Sequence, residues 1–347
     1  IKYHERLTGV ATAQVKMWTA KNVVEKGQRD TVRNILAKKN VKLGGLNHVV
    51  EPEEFLKDPQ CMICGLFIEH PEAMKKSDIE KGDKPSEPAI ISFSANSGVV
   101  EGPEDKKNLY RAQYFCERTT YAHPREWNSG DDELQRATLR NAIAEQMKAF
   151  KLNRGKPATK IIVYVQGVSD GERNHWASTY NEIFTEAAAE VHPSYKPGVY
   201  LIATSEEGHE RLSAPTSYGE AIGLCVDQTI TNPILNEFIL ISAKALQGTA
   251  KCTRYTIMSE GANKLSMDQY EKLTWTLAYL HQYSERTISK PAPLRVAADA
   301  AARARDLYIF DSKLKKDKLV DGYKYDLKAL NARLATRESA LEGKRTV

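Results

Sequence analysis

The stretch Lys160–Val165, KIIVYV, holds four β-branched residues and a tyrosine in six positions, with Gly167 two places beyond its end. A run this short and this apolar reads as a strand buried on both faces, and Gly167 as the start of its exit loop. Outward from it the pattern changes period. On the N-terminal side, residues 131–152 place Leu134, Leu139, Ile143, Met147 and Phe150 on one face of a helix. On the C-terminal side, residues 175–191 carry Trp176, Tyr180, Ile183 and Phe184 as an apolar helical stripe, and GVYLIA at 198–203 reads as the next strand.

Further out, CMICGLFI at 61–68, AIISFS at 89–94 and AQYFCERT at 112–119 read as strands, as do FILIS at 238–242 and the extended CTRYTIM at 252–258. Helical patterns occupy 267–283, 294–307 and 324–341, and GVATAQVKMW at 9–18 reads as a short extended piece. The segment 51–60 is a polar connector, 73–88 a polar loop, and the charged residues from Asp311 onward read as half-exposed. Strands alternating with helices imply a layered α/β fold with a mixed central sheet flanked by helices. Neighbouring strands, then a helix, then a parallel strand at KIIVYV fit a ribonuclease H-like arrangement.

The 347 residues suffice for one large domain or two ordinary ones, and 41% hydrophobic with 27% charged content supports a sizeable core. A net charge of +5 suits an anionic partner without demanding one. No apolar run approaches the length of a membrane span. The chain starts at Ile1 without Met or a signal-peptide pattern, which reads as a piece of a longer protein. Five cysteines without a tight framework argue for a reducing compartment. Cys61 and Cys64 have the spacing of a redox or zinc motif, but in a strand residues three apart face opposite ways, so both are expected to be core residues.

Metal-dependent phosphodiester cleavage in this fold class needs Asp or Glu at the strand ends, because magnesium takes hard oxygen ligands. The strand ends mostly lack them. The first ends Gly65-Leu66-Phe67-Ile68-Glu69, the KIIVYV strand continues Gln166-Gly167-Val168-Ser169-Asp170, and FILIS ends Ser242-Ala243-Lys244. Glu69 and Asp170 are nearby acids whose alternative roles are turn or helix-cap carboxylates. No Ser/His/Asp or Cys/His constellation and no metal-spaced histidine pair stands out.

The residues 31–47, TVRNILAKKNVKLGGLN, join a basic helix to a Lys-Leu-Gly-Gly turn. Arg33, Lys38, Lys39 and Lys42 beside two glycines can hold a phosphate, or form a solvated lysine face. The phrase KKNVKLGGLN resembles the K-I-N-x-K-L-G-G-x-N junction between the MID and PIWI domains of Argonaute proteins. Further phrases resemble the PIWI domain in order. CMICGLFIEHP resembles G-A-D-V-T-H-P, and IIVYVQGVSDGE resembles I-I-x-Y-R-D-G-V-S-E-G-Q. VDQTITNP resembles V-D-T-x-I-T-H-P, and FILISAKALQGTAKCTRY resembles F-x-L-x-S-H-x-G-x-Q-G-T-S-R-P-x-x-Y. RTISKPAPLRVAADAAARAR resembles R-S-V-S-x-P-A-P-x-Y-Y-A-H-x-x-A-x-R-A-R.

This resemblance implies a ribonuclease H-like PIWI domain at 49–347, preceded by the C-terminal part of MID and the junction at 1–48. It implies small-RNA-guided gene silencing, with a guide RNA and target RNA as partners. Silencing effectors, among them tryptophan-containing peptides, would dock on the same domain, at pockets the sequence does not locate. The family's slicing tetrad falls on Phe67, Glu133, Gln166 and Ala243, where an aromatic, an amide and a methyl leave two magnesium ions without a cage. No slicing, no metal and no other cofactor are therefore expected, as in the worm-specific Argonaute clade, whose members commonly lack the tetrad. Guide contacts carried over from the family are Lys38, Lys42 and Lys251, with Gln14 and Arg286 beside them. With most of MID absent, the isolated piece is expected to bind RNA weakly. The implied location is intracellular, in cytoplasmic ribonucleoprotein granules or the nucleus. Two alternatives stand beside this: a divergent magnesium-dependent RNA endonuclease using Glu69, Glu133 and Asp170, and a protein-interaction scaffold without RNA contacts.

Overall fold

The computed structural model describes residues 1–8, 10, 12–50, 57–98, 115–122, 133–206, 208, 210–212, 222–245, 248–261, 263–283, 286–314 and 325–334. KIIVYV is β4 (Lys160–Gln166), and it lies at the centre of an eight-stranded sheet. Its neighbours are β1 (Cys61–Glu69) and β5 (Gly198–Ser205), both parallel to it. Beyond β1 come β2 (Ala89–Ala95) and β3 (Cys116–Ala122), each antiparallel to the last. Beyond β5 the antiparallel neighbours are β8 (Thr253–Ser259), β7 (Glu237–Leu240) and the two-residue β6 (Cys225–Val226). The order β3-β2-β1-β4-β5 with an antiparallel first half and parallel centre is the ribonuclease H-like arrangement the sequence pointed to.

Side-chain alternation sends each strand's residues to two different layers. On one face, β4's Ile161, Val163 and Val165 pack with α5 (Glu133–Arg154) and α6 (Arg173–Val191), through Ile143, Met147, Phe150, Tyr180 and Phe184. On the other, Ile162 and Tyr164 pack with α7 (Met267–Tyr279) and α8 (Ala292–Leu314), through Leu273, Leu277 and Leu294. A third cluster seats α9 (Leu327–Leu334) and the middle of α8 against Ile90 and Tyr121. Cys61 and Cys64 part as expected, one into each layer, both buried. Burial pushes the Cys61 thiol up to about 12, so neither behaves as a redox pair.

Gly65 sets how closely α8 can lie on β1. A Cβ there would run into the backbone of Pro293 and Leu294. Ser94 Oγ donates to the Pro293 carbonyl at 2.6 Å, tying the same helix start to β2.

Several elements differ from the sequence expectation. Met17 and Trp18 are helical, opening α2 (Met17–Lys26), and Lys2–Thr8 forms α1. A short α4 (Lys76–Glu80) interrupts the polar loop. The third strand runs to Ala122, three residues beyond the expected end, and its expected start at 112–114 lies outside the described residues. α8 is longer at both ends than expected, and Asp311 is buried against Arg333 at 2.8 Å rather than half-exposed. The expected helix at 324–341 is described only as α9, and Leu246 and Gln247 of the FILIS exit loop also lie outside the described residues. No described helix is long and apolar enough to cross a membrane.

Candidate nucleic-acid interface and degenerate metal site

The basic stretch forms α3 (Arg29–Lys42), and its turn is built from the phrase that follows. Gly44 has φ 91°, a left-handed conformation that favours glycine. Gly45 has no room for a Cβ because the Asn40 amide closes over it. Asn40 Nδ2 donates to Asn47 Oδ1 at 2.9 Å, and Asn47 Nδ2 donates to the Ala37 carbonyl at 2.9 Å. Gln282, just past α7, receives the turn: Asn47 N donates to its Oε1 at 2.8 Å and Asn47 Nδ2 to its carbonyl at 2.6 Å. The Lys-Leu-Gly-Gly-Leu-Asn text thus specifies a rigid bracket between α3 and the main sheet's helices.

That bracket aims Lys42 inward. Its Nζ donates to the Thr12 carbonyl at 2.8 Å, and it is half-buried beside Lys2, Glu5 and Arg303. Glu5 is the hub. Lys2 Nζ donates to its two oxygens at 3.1 and 2.9 Å, and Arg303 of α8 donates at 2.9 Å. Thr12 adds its backbone N at 2.5 Å and its hydroxyl at 2.7 Å. Burial alone would raise the Glu5 pKa, but the Lys2 and Thr12 hydrogen bonds and the Arg303 charge outweigh it and hold it down at about 2. Burial first, then the Lys2 and Arg303 charges, push the Lys42 ammonium down to about 8 against the pull of Glu5. Three cations thus gather around one carboxylate in a half-buried place. Such a place suits a phosphate, which brings several acceptors and at least one negative charge.

Gln14 is exposed and lines an open pocket beside this group with Lys2, Tyr3, Asp306, Phe310 and Lys313. The structure therefore brings Lys42 and Gln14 to the same corner. Lys38, one helical turn before Lys42, points to solvent. Lys251 and Arg286 are exposed on loops, and none of the contacts around Glu5 involves them. Lys2, Glu5 and Arg303 were not singled out in the sequence. Arg303 stands in the A-R-A-R end of a quoted phrase, which was the one available signal.

Two of the positions that the resemblance gives to the tetrad, Phe67 and Gln166, sit at the carboxyl ends of parallel strands, where open α/β sheets bind their ligands. Phe67 on β1 is the Cα partner of Gln166 on β4. Both belong to the sheet face covered by α7 and α8. Ala243 follows β7, and its neighbour Ser242 donates from Oγ to the Ile288 carbonyl at 2.8 Å. Glu133 opens α5, and its side chain lies outside the described residues. Gln166 Oε1 is buried with no hydrogen-bond partner. The Lys290 ammonium lies 5.8 Å from the centroid of the Phe67 ring.

A divalent metal does not fit this donor set. Of the positions that the resemblance gives to the tetrad, the described side chains supply one neutral amide oxygen, with the Lys290 ammonium over the neighbouring Phe67 ring. An ion about 5 Å from that ammonium would meet roughly 7 kcal/mol of repulsion at an effective dielectric of about 20, which the Glu206 carboxylate paired with Lys290 offsets in part. Two of the three acids of the alternative nuclease, Glu69 and Asp170, are each engaged by an arginine; the side chain of the third, Glu133, lies outside the described residues. Glu69 is paired with Arg305 at 2.7 Å, which also holds Glu87 at 3.0 Å, while Asp170 is exposed and paired with Arg173 in its own turn. Among the described residues no group of three His, Cys, Asp or Glu is placed to hold a metal.

A family model for the Piwi domain matches residues 1–308. The chain belongs to the Piwi domain family. It is 31% identical over 314 residues to Argonaute protein wago-1 of Caenorhabditis elegans, covering 88% of this chain and 31% of that protein. Argonaute protein wago-4 of the same worm is 29% identical over 342 residues, with 88% and 32% covered. Protein argonaute-2 of Drosophila melanogaster is 27% identical over 305 residues, with 86% and 22% covered. This Piwi chain thus spans about a third or less of the curated relatives it matches. Among solved structures, the C-terminal lobe of a budding yeast Argonaute superposes with a TM-score of 0.73 at 18% identity, over 99% of this chain and 66% of that one. Kluyveromyces polysporus Argonaute with a guide RNA gives 0.67 at 18% identity, over 90% and 36%. These likenesses establish the Argonaute PIWI fold, a ribonuclease H-like sheet with helices on both faces.

Proposed function

We propose that this chain is the guide-holding portion of a small-RNA-directed silencing protein that retains its target without cutting it. The observation that carries the reading is the convergence of Lys2, Lys42 and Arg303, from three separate helices, around Glu5. Cations gathered from both ends of the chain, Arg303 lying 298 positions from the Glu5 it pairs with, are an arrangement for an anion. A nucleic-acid end held by charge gives affinity without sequence preference, and base pairing then supplies the sequence. The relatives' names point the same way, since one solved Argonaute was captured with a guide RNA.

The absence of cutting rests on Phe67, Gln166 and Ala243 at the positions where carboxylates would hold two magnesium ions. Retention without cleavage implies that silencing effectors are recruited to the bound target, with tryptophan-containing peptides as one chemical class of docking segment. The division into a MID remnant at 1–48 and a PIWI domain from 49 is supported by the packing. α2 and α3 bury little, and Met17, Trp18 and Val24 are 84%, 73% and 84% exposed, as expected of pieces that pack on another unit. An intracellular location, in cytoplasmic granules or the nucleus, belongs to the same proposal.

The test uses the intact protein loaded with a guide of known sequence and given a matched target with magnesium. Target retained uncut is the expected result. Cleavage at a single phosphate opposite the guide would sink the reading and favour the nuclease. Charge reversal at Lys38, Lys42 and Lys251 that leaves guide retention unchanged would favour the scaffold instead.

A further inference from the structure

We propose that Lys290 takes the place of the metal ions at this end of the sheet, and that its ammonium binds one backbone phosphate of a strand lying across the site. The inference rests on the guide-and-target reading above and extends it to a named contact.

Lys290 is held in place by its backbone neighbours. Ser242 Oγ donates to the Ile288 carbonyl at 2.8 Å, and Thr253 Oγ1 donates to the Ser289 carbonyl at 3.0 Å. Ser289 Oγ donates to Glu206 Oε1 at 3.0 Å. These bonds stitch the segment before α8 across the ends of β7, β8 and β5. Its side chain then has one direction to go, over the Phe67 ring and toward Glu206 Oε2 at 2.7 Å.

The chemistry suits a phosphodiester better than a metal. An ammonium has three N–H donors, and the ion pair with Glu206 uses one. Among the described residues Glu206 is the acceptor that the Lys290 ammonium engages. The Lys290 side chain is 13% exposed and that of Glu206 is 29% exposed, so the pair is covered over most of its surface and reachable over the rest. The Phe67 ring attracts the cation through its quadrupole, which a carboxylate at that position would do by full charge. Phe67 thus keeps a cation at the site while removing the ligand that a magnesium ion needs. The orphaned Gln166 Oε1 beside it, a buried acceptor, adds no charge for a metal to use. A lysine is a point charge that binds a phosphate oxygen without polarising it as a metal would. Binding without hydrolysis follows.

The test is a walk of single uncharged methylphosphonate linkages along the target strand, with release measured from the guide-loaded intact protein. One linkage should speed release about tenfold in the wild type, the size of one charge-assisted hydrogen bond, and by about twofold or less in Lys290→Met. Lys290→Arg should keep the sensitivity. Glu206→Gln, which frees the ammonium, should slow release of the all-phosphate target. Guided binding that persists with no linkage coupled to Lys290, or faster release from Glu206→Gln, overturns this proposal and leaves the guide-holding reading standing. Failure of any guide-dependent target binding overturns both.

Discussion

Phe67 and Gln166 stand level with each other across the parallel pair β1–β4, on the sheet face that α7 and α8 cover. In a cleaving member of this fold, level positions on these two strands place two carboxylates where one metal can bridge them. Here they place a ring against an amide, with Lys290 above the ring. Restoring acids alone should therefore fail. We expect Phe67→Asp with Gln166→Asp and Ala243→Asp to bind manganese weakly or not at all by calorimetry, because each new carboxylate meets the Lys290 ammonium first. Adding Lys290→Met to the triple variant should raise metal affinity by at least about tenfold, the effect of removing roughly 1.4 kcal/mol or more of repulsion. Equal affinity with and without Lys290 would show that the ammonium does not govern the site.

The Lys42 ammonium gives the proposed phosphate contact a pH dependence. Its folded value of about 8 lies below the ordinary lysine value, so the unfolded chain holds the proton more tightly. Stability is therefore lowest below pH 8 on this account and rises between about pH 8 and the unfolded value near 10.5. A bound phosphate favours the charged form and reverses the preference. Affinity for a 5′-phosphorylated guide should fall as pH rises through about 8, with proton uptake on binding near that pH. Lys42→Arg should flatten the profile, because a guanidinium does not titrate there. A wild-type profile flat from pH 7 to 9 would remove Lys42 from the contact.

Strands were readable where both faces are buried, because runs such as KIIVYV and AIISFS permit little else. β1 and β4 each run one residue beyond the expected end, and Phe67 and Gln166 were placed by the resemblance of their phrases to the PIWI family, not by the strand pattern. α1 and α2 were not readable. In α2 the apolar residues Met17, Trp18 and Val24 are exposed, so no inward stripe marks a helix there, and α1 is only seven residues long. The Glu5 hub was out of reach for another reason. Its partners lie three residues, seven residues and 298 residues away, and a lone Glu or Arg in a charged segment carries no sign of the one that will meet it. Lys290 fell at a variable position of the phrase that otherwise marked the segment, so nothing singled it out until the Phe67 ring lay under it.

Gly65 is a structural requirement with a measurable cost. A methyl there would overlap the Pro293 carbonyl and the Leu294 nitrogen, both backbone atoms that cannot swing away. Gly65→Ala should push the start of α8 off β1, break the Ser94–Pro293 hydrogen bond and destabilise the chain by about 3 kcal/mol or more. Chemical denaturation measures this directly. Because Lys290 sits two residues before α8, the same variant should also loosen target retention. A stability change within about 0.5 kcal/mol would contradict the close approach of β1 and α8.

Glu5 competes with any phosphate for the same donors. Its carboxylate takes five hydrogen bonds from Lys2, Thr12 and Arg303, more than the single oxygen of a neutral amide can accept. Glu5→Gln should leave Lys2, Lys42 and Arg303 repelling one another, at a cost of about 1–3 kcal/mol to the unliganded protein. The same loss removes the internal anion, so inorganic phosphate and 5′-phosphorylated guides should bind more tightly, while 5′-hydroxyl guides should be unaffected. The phosphate-dependent gain read from that pair of guides separates competition from general damage, because a misfolded corner would weaken both. Weaker binding of the phosphorylated guide alone would mean that Glu5 positions the cations for the phosphate instead of standing in for it.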